Sequence, residues 1–177
     1  MNKTSFLLAS LAIAAAMAST ISDASAERVR SRVVVSGEQG RAAATGAAAT
    51  GENGAYARGR KVVSDDQGNV AGRSGAYVES ANGGQAARQG SFYRNADGSA
   101  GRQGSAYAEG ANGGTASSAG SIARDADGNV NGSRSTNATG ANGNSYSGST
   151  TVTNGQVSHT GTCTNAAGEV IACKGDN

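Results

Sequence analysis

The chain has 177 residues, with 28 glycines, two cysteines, no proline, no tryptophan and a formal net charge of +2. Beyond residue 26 it contains no Leu or Met either, and its larger apolar side chains are scattered Val with Ile122, Ile171, Phe92 and five Tyr. Apolar burial yields about 25 cal/mol per Å² while ordering the backbone costs roughly 1 to 2 kcal/mol per residue, so this composition excludes a conventional globular core. Disorder or regular backbone ladders remain.

Residues 1–26 open with Lys3, an apolar run from Phe6 to Ala18, and Asp23-Ala24-Ser25-Ala26 ahead of Glu27. One cation, an apolar stretch too short to span a bilayer and small residues at Ala24 and Ala26 form the pattern of a secretory signal peptide, expected as a helix cleaved after Ala26. No Cys stands at the cleavage point for lipid attachment, and no later segment is apolar enough to cross a membrane. The expected location is outside the cytoplasm: periplasm, cell surface or extracellular medium.

Residues 27–53 read as a basic strand followed by a connector. Arg28, Arg30 and Arg32 alternate with other residues, so period two puts them on one face of a strand. From Glu27 to Lys61 seven bases face three acids, a local charge of +4. This basic stripe reads either as an edge cap that blocks uncontrolled strand addition or as a site for an anionic envelope or polysaccharide partner. The run Ala42–Thr50, interrupted by Gly46, lacks a large apolar face and is expected to be an irregular connector.

Residues 54–153 are a tandem repeat. Asp65-Asp66-Gln67-Gly68-Asn69, Asn95-Ala96-Asp97-Gly98-Ser99 and Asp125-Ala126-Asp127-Gly128-Asn129 recur at a spacing of 30, and Ser80-Ala81-Asn82-Gly83-Gly84, Gly110-Ala111-Asn112-Gly113-Gly114 and Gly140-Ala141-Asn142-Gly143-Asn144 recur between them. An anchor glycine thus falls every 15 residues, at Gly68, Gly83, Gly98, Gly113, Gly128 and Gly143, in two alternating flavours. Asn-Gly and Asp-Gly steps accept positive φ and mark tight turns. A second small residue seven positions later, Gly75, Gly90, Ser105, Gly120, Ser135 or Thr150, predicts a second bend and two strands of about five residues per unit. Nine positions after the anchors stand Tyr77, Phe92, Tyr107, Ile122, Asn137 and Val152, with Val63 in a weaker first unit anchored at Gly54. Stacked in register, their apolar members would form one ladder with rungs about 4.7 to 4.8 Å apart. The expected fold is therefore all-β, made of stacked 15-residue strand-turn-strand repeats in a β-solenoid or cross-β-like arrangement. Lack of proline agrees, since each one removes a ladder donor.

Residues 154–177 are expected to form a hairpin stapled by a Cys163–Cys173 disulfide, the usual use of two cysteines in an exported protein. His159 is the only imidazole, too few ligands for a zinc site. Asp125-Ala126-Asp127-Gly128-Asn129 opens like a calcium loop, but Val130 and Thr136 occupy the positions that need Gly and a bidentate Glu; shared calcium between stacked turns through Asp97, Asp125 and Asp127 is the alternative to plain turn formation. No nucleophile sits beside a base and no phosphate-cradling loop leads into a helix, so neither catalysis nor a cofactor is expected. Tyr and Arg are scattered, which argues against nucleic acid as partner.

The Gly, Asn, Ser and Gln-rich units between Gly54 and Thr153, together with the leader and the apolar ladder, resemble the curli class of secreted bacterial functional amyloids, and also other exported Gly-rich repeat proteins. Curli repeats are longer and carry Gln and Asn ladders at fixed positions, whereas Gln85, Gln89 and Gln103 do not recur at one offset. The resemblance implies a self-associating structural protein of a surface or biofilm matrix. The alternatives are a monomeric β-repeat module that binds polysaccharide, envelope or calcium, and a mainly disordered secreted chain.

Overall fold

The computed structural model describes residues 27–173, and they form one antiparallel sheet. Its strands are β1 (Glu27–Gly37), β2 (Gly40–Gly51), β3 (Gly54–Asp65), β4 (Val70–Ser80), β5 (Gln85–Arg94), β6 (Ala100–Glu109), β7 (Thr115–Arg124), β8 (Val130–Thr139), β9 (Ser145–Thr153), β10 (Gln156–Thr164) and the two-residue β11 (Val170–Ile171). Each pairs with its chain neighbour, so spatial order equals sequence order. With strands about 4.8 Å apart, the sheet is about 50 Å across. The signal helix expected over 1–26 lies outside the described residues.

The all-β expectation describes this chain; the internal build of the unit differs. Each 15-residue unit is one strand of about ten residues plus one turn, not two short strands. The residues expected to make the second bend lie in mid-strand: Gly75 pairs Gly59 and Gln89, and Gly90, Gly104 and Gly120 pair in succession. At Gly90, Gly104 and Gly120 a side chain would crowd the next strand's backbone, an added Cβ at Gly104 falling 2.9 Å from the Gln89 carbonyl oxygen, whereas Gly75 has ordinary room at 3.7 Å. Glycine marks close approach of neighbouring strands at this line, a role that leaves the chain direction unchanged. The units therefore run side by side as a meander, with mirrored pairing, where a stack of coils was expected.

The Ala42–Thr50 connector is also corrected: it is the body of β2, in register with β1 on one side and β3 on the other. Ladder bonds on both flanks outweigh alanine's modest preference for helix.

No residue among those described is buried. The sheet is a single layer with both faces in solvent, and its larger side chains are only partly covered, Tyr77 and Tyr107 keeping 39% and 41% of their surface exposed and Phe92 and Ile122 somewhat less. Order comes from ladder hydrogen bonds and from cross-strand pairs on each face.

Candidate functional site

The six anchor glycines are the points of chain reversal, with φ between +81° and +92°, and Gly168 in the β10–β11 turn adopts +83°. In each turn the glycine N–H donates to the carbonyl three residues earlier, as from Gly113 to Gly110 at 2.9 Å, and a second bond closes the loop, as from the Gly110 N–H to the Gly114 carbonyl at 2.7 Å. Because successive strands reverse direction, the two flavours of turn separate. The acidic flavour, at Gly68, Gly98 and Gly128, lines one margin of the sheet; the Asn-Gly flavour, at Gly83, Gly113 and Gly143, lines the other. The 30-residue repeat is one up-and-down strand pair.

Turn aspartates cap their own loops. Asp65 Oδ1 accepts from the Asn69 N–H at 2.8 Å and its Oδ2 from the Asn69 side-chain amide at 2.7 Å; Asp125 repeats this with Asn129. The Asn69 side chain holds the Asp65 carboxyl below its ordinary value, Asn129 does the same for Asp125, and the Ser99 hydroxyl does so for Asp97. Asp97, Asp125 and Asp127 sit on successive turns of one margin, and no group of three or more His, Cys, Asp or Glu suited to a metal ion occurs among the described residues.

The single apolar ladder divides between two faces. Directly paired residues of antiparallel strands share a face, and residues along a strand alternate. Tyr77 and Tyr107 lie in one row, separated by Ala87, and the row continues through Ser117 to Asn137. Phe92, Ile122 and Val152 lie in a row on the opposite face, with Arg102 and Gly132 between them. Val63 belongs to neither row; it pairs Ala42 and Ala71. An odd repeat of 15 in a meander sends one offset alternately up and down.

What these aromatics touch was not anticipated. The Phe92 ring covers Gly72 on the next strand, leaving no room for a side chain there, and the Tyr93 ring covers Gly101, where an added Cβ would fall 2.6 Å from Cε1. Tyr146 covers Gly148 and Gly161. Aromatic rings laid over cross-strand glycines shield backbone and pin register. Tyr77 and Tyr107 instead donate to Glu79 and Glu109 at 3.0 and 2.9 Å, and these bonds push both phenols above their ordinary value. His159 bonds Thr150 Oγ1 at 2.8 Å and the Tyr146 hydroxyl at 3.1 Å. The Cys163–Cys173 disulfide is formed and ties the end of β10 to the residues just after β11.

Charge divides more sharply than apolar surface. Arg28, Arg30 and Arg32 point to the face that carries Phe92, and the register of every later strand puts Arg41, Arg58, Arg60, Arg88, Arg94, Arg102, Arg124 and Arg134 there as well. Eleven of the twelve arginines share this face, and no strand presents a carboxylate on it. Arg73 alone lies opposite, with Lys61, Glu27, Glu79 and Glu109. On the basic face the Arg60 guanidinium stands 5.7 Å from the Phe92 ring centre, a cation–π contact. The period-two pattern of β1 pointed to this face. For the later arginines the strand register was needed.

Comparison with protein-family models, with curated proteins and with solved structures finds no match.

Proposed function

We propose that the protein is a non-catalytic structural repeat protein that self-associates by continuing its sheet from copy to copy, the exported matrix role that the curli-like composition implies. The observation that carries the reading is that the described residues form a single-layer sheet with no buried residue and an edge strand at each end. Among the described residues no strand pairs the outer side of β1 over Glu27–Gly37, and β11 covers only Cys163 and Thr164 of β10, leaving Gln156–Thr162 without a partner strand on that side. Such edges are templates for strand addition.

Charge selects which edges meet. Two β1 edges would bring Arg28, Arg30 and Arg32 against their own copies, which is repulsive, whereas Gln156–Thr162 carries no Asp, Glu, Lys or Arg. Joining β1 to β10 is head-to-tail, and head-to-tail contacts that do not close give open filaments. The strands of such a filament lie across its axis, as in the cross-β-like arrangement read from the repeats.

Concentration-dependent growth of the purified protein, followed by thioflavin fluorescence and fibre diffraction, tests this. A reflection at about 4.7 to 4.8 Å along the fibre axis is expected, and Val157→Lys/His159→Lys, which sets cations on the β10 edge on the same face as Arg28, Arg30 and Arg32, should slow growth at least tenfold. A chain that stays monomeric at every concentration would sink the reading. The second reading, a binding module working as a monomer, draws support from the one-sided placement of arginine.

A further inference from the structure

The basic face holds a shallow trough of about 580 Å³ that crosses the strands from β3 to β8. Arg58 and Arg88 line it, and Arg134 closes its far end. Its floor is made of small side chains, chiefly Ala76, Ala86 and Ala106. The pairing register sets Arg58, Ala76, Arg88, Ala106, Ser118 and Thr136 of this lining in one row, and the row runs on beyond the trough through Ala47 on β2 to Arg30 on β1. A guanidinium thus recurs at every second strand from β1 to β5, about 9.6 Å apart at ordinary sheet spacing, with a methyl group between, and β7 places Ser118 at the next such point. Arg134, one row over, leans toward the line through a 2.8 Å bond from Nε to Ser118 Oγ.

We infer that this trough, with the row that continues it to β1, binds a linear acidic polysaccharide laid across the strands, its carboxylate or sulfate groups meeting Arg58 and Arg88 in the trough and Arg30 beyond its near end. Guanidinium is the side chain best matched to such anions, because its planar fork forms two parallel hydrogen bonds to one group. With no strand carboxylate on this face, the arginines are not neutralised by neighbours, and their combined field favours a polyanion. The wide spacing fits a chain charged at every second sugar. Nucleic acid carries a phosphate about every 3.4 Å of each strand and gains much of its single-strand affinity from stacked aromatics; of the three tyrosines that border the trough only Tyr56 stands on this face, while Tyr77 and Tyr107 hold positions of the other face and donate to Glu79 and Glu109 there. The alanine floor gives sugar rings flat apolar contact without blocking the track.

This inference does not depend on filament growth, since edge addition leaves both faces open, and it is tested on the full chain kept monomeric. Binding of hyaluronate, which carries one carboxylate per two sugars, of dextran sulfate, of neutral dextran and of a single-stranded oligonucleotide is measured by calorimetry at two salt concentrations. At least one acidic glycan should bind, neutral dextran should not, and affinity should fall as salt rises. Arg58→Gln/Arg88→Gln should weaken glycan binding at least tenfold, while Arg73→Gln on the opposite face should change it less than twofold. Arg30→Gln, on the exposed edge strand, gives a second reading should the double variant lose its sheet. Equal loss in Arg73→Gln and in the trough variants, no binding of either acidic glycan, or tighter binding of the oligonucleotide would each overturn the inference.

Discussion

At the scale of single residues the molecule relies on short polar contacts instead of burial. Turn glycines were legible in the sequence because an Asn-Gly or Asp-Gly step has few other uses; five of the six anchors follow Asn or Asp, Gly68 follows Gln67 and was found by the 15-residue spacing, and all six adopt positive φ. The mid-strand glycines were misread as bends for a related reason: a small residue marks either a reversal or a close approach, and only the neighbouring strand distinguishes them. Tyr77 and Tyr107 give a residue-scale prediction. Each phenol donates to a glutamate, so its folded value lies above the ordinary 10.0. A raised value means that the bonds contribute stability in full below pH 10 and lose it as pH rises through the folded value. Ring chemical shifts followed to high pH should place both ionisations above 10.0, and Glu109→Ala should lower that of Tyr107 without moving Tyr77.

Among the elements, strands were legible as a class and their pairing was not. Equal offsets looked like a stack because Tyr77, Phe92, Tyr107 and Ile122 recur at +9. Offset alone carries no information on chain direction, and in a meander those residues alternate between faces. β2 was missed because alanine has little preference that survives two flanking ladders. The carboxyl-terminal staple was legible from cysteine count, and its reach is local, since β11 pairs only two residues of β10. Constraining a loop of this kind removes unfolded-state entropy worth roughly 3 kcal/mol. Reduction should therefore release amide protection in β11 and the Asn165–Glu169 turn, while amides of β4 to β8 exchange as before. A mass-resolved hydrogen-exchange comparison of oxidised and reduced protein checks this, and loss of protection across the whole sheet would show that the staple acts globally.

The whole molecule is a thin plate whose two surfaces differ in charge and whose two long margins differ in turn chemistry. None of this was visible as a property of the sheet, because each depends on the register of all strands at once. The arginine surface is the clearest case: β1 showed it through its period of two, yet Arg88, Arg102 and Arg134 looked scattered until their strands were aligned.

The alternation of turn flavours sets a parity rule on changes in length. Removing residues 85–114 deletes an even number of strands and returns Arg124 and Arg134 to the side they now occupy. Removing residues 85–99 deletes one strand, turning Arg102, Arg124 and Arg134 over to the glutamate side and joining unlike margins. Binding of an acidic glycan should survive the longer excision better than the shorter one, an order opposite to that expected from the amount of chain lost. Drift in copy number among related chains would then be tolerated in steps of thirty residues, with single-unit gains or losses rare.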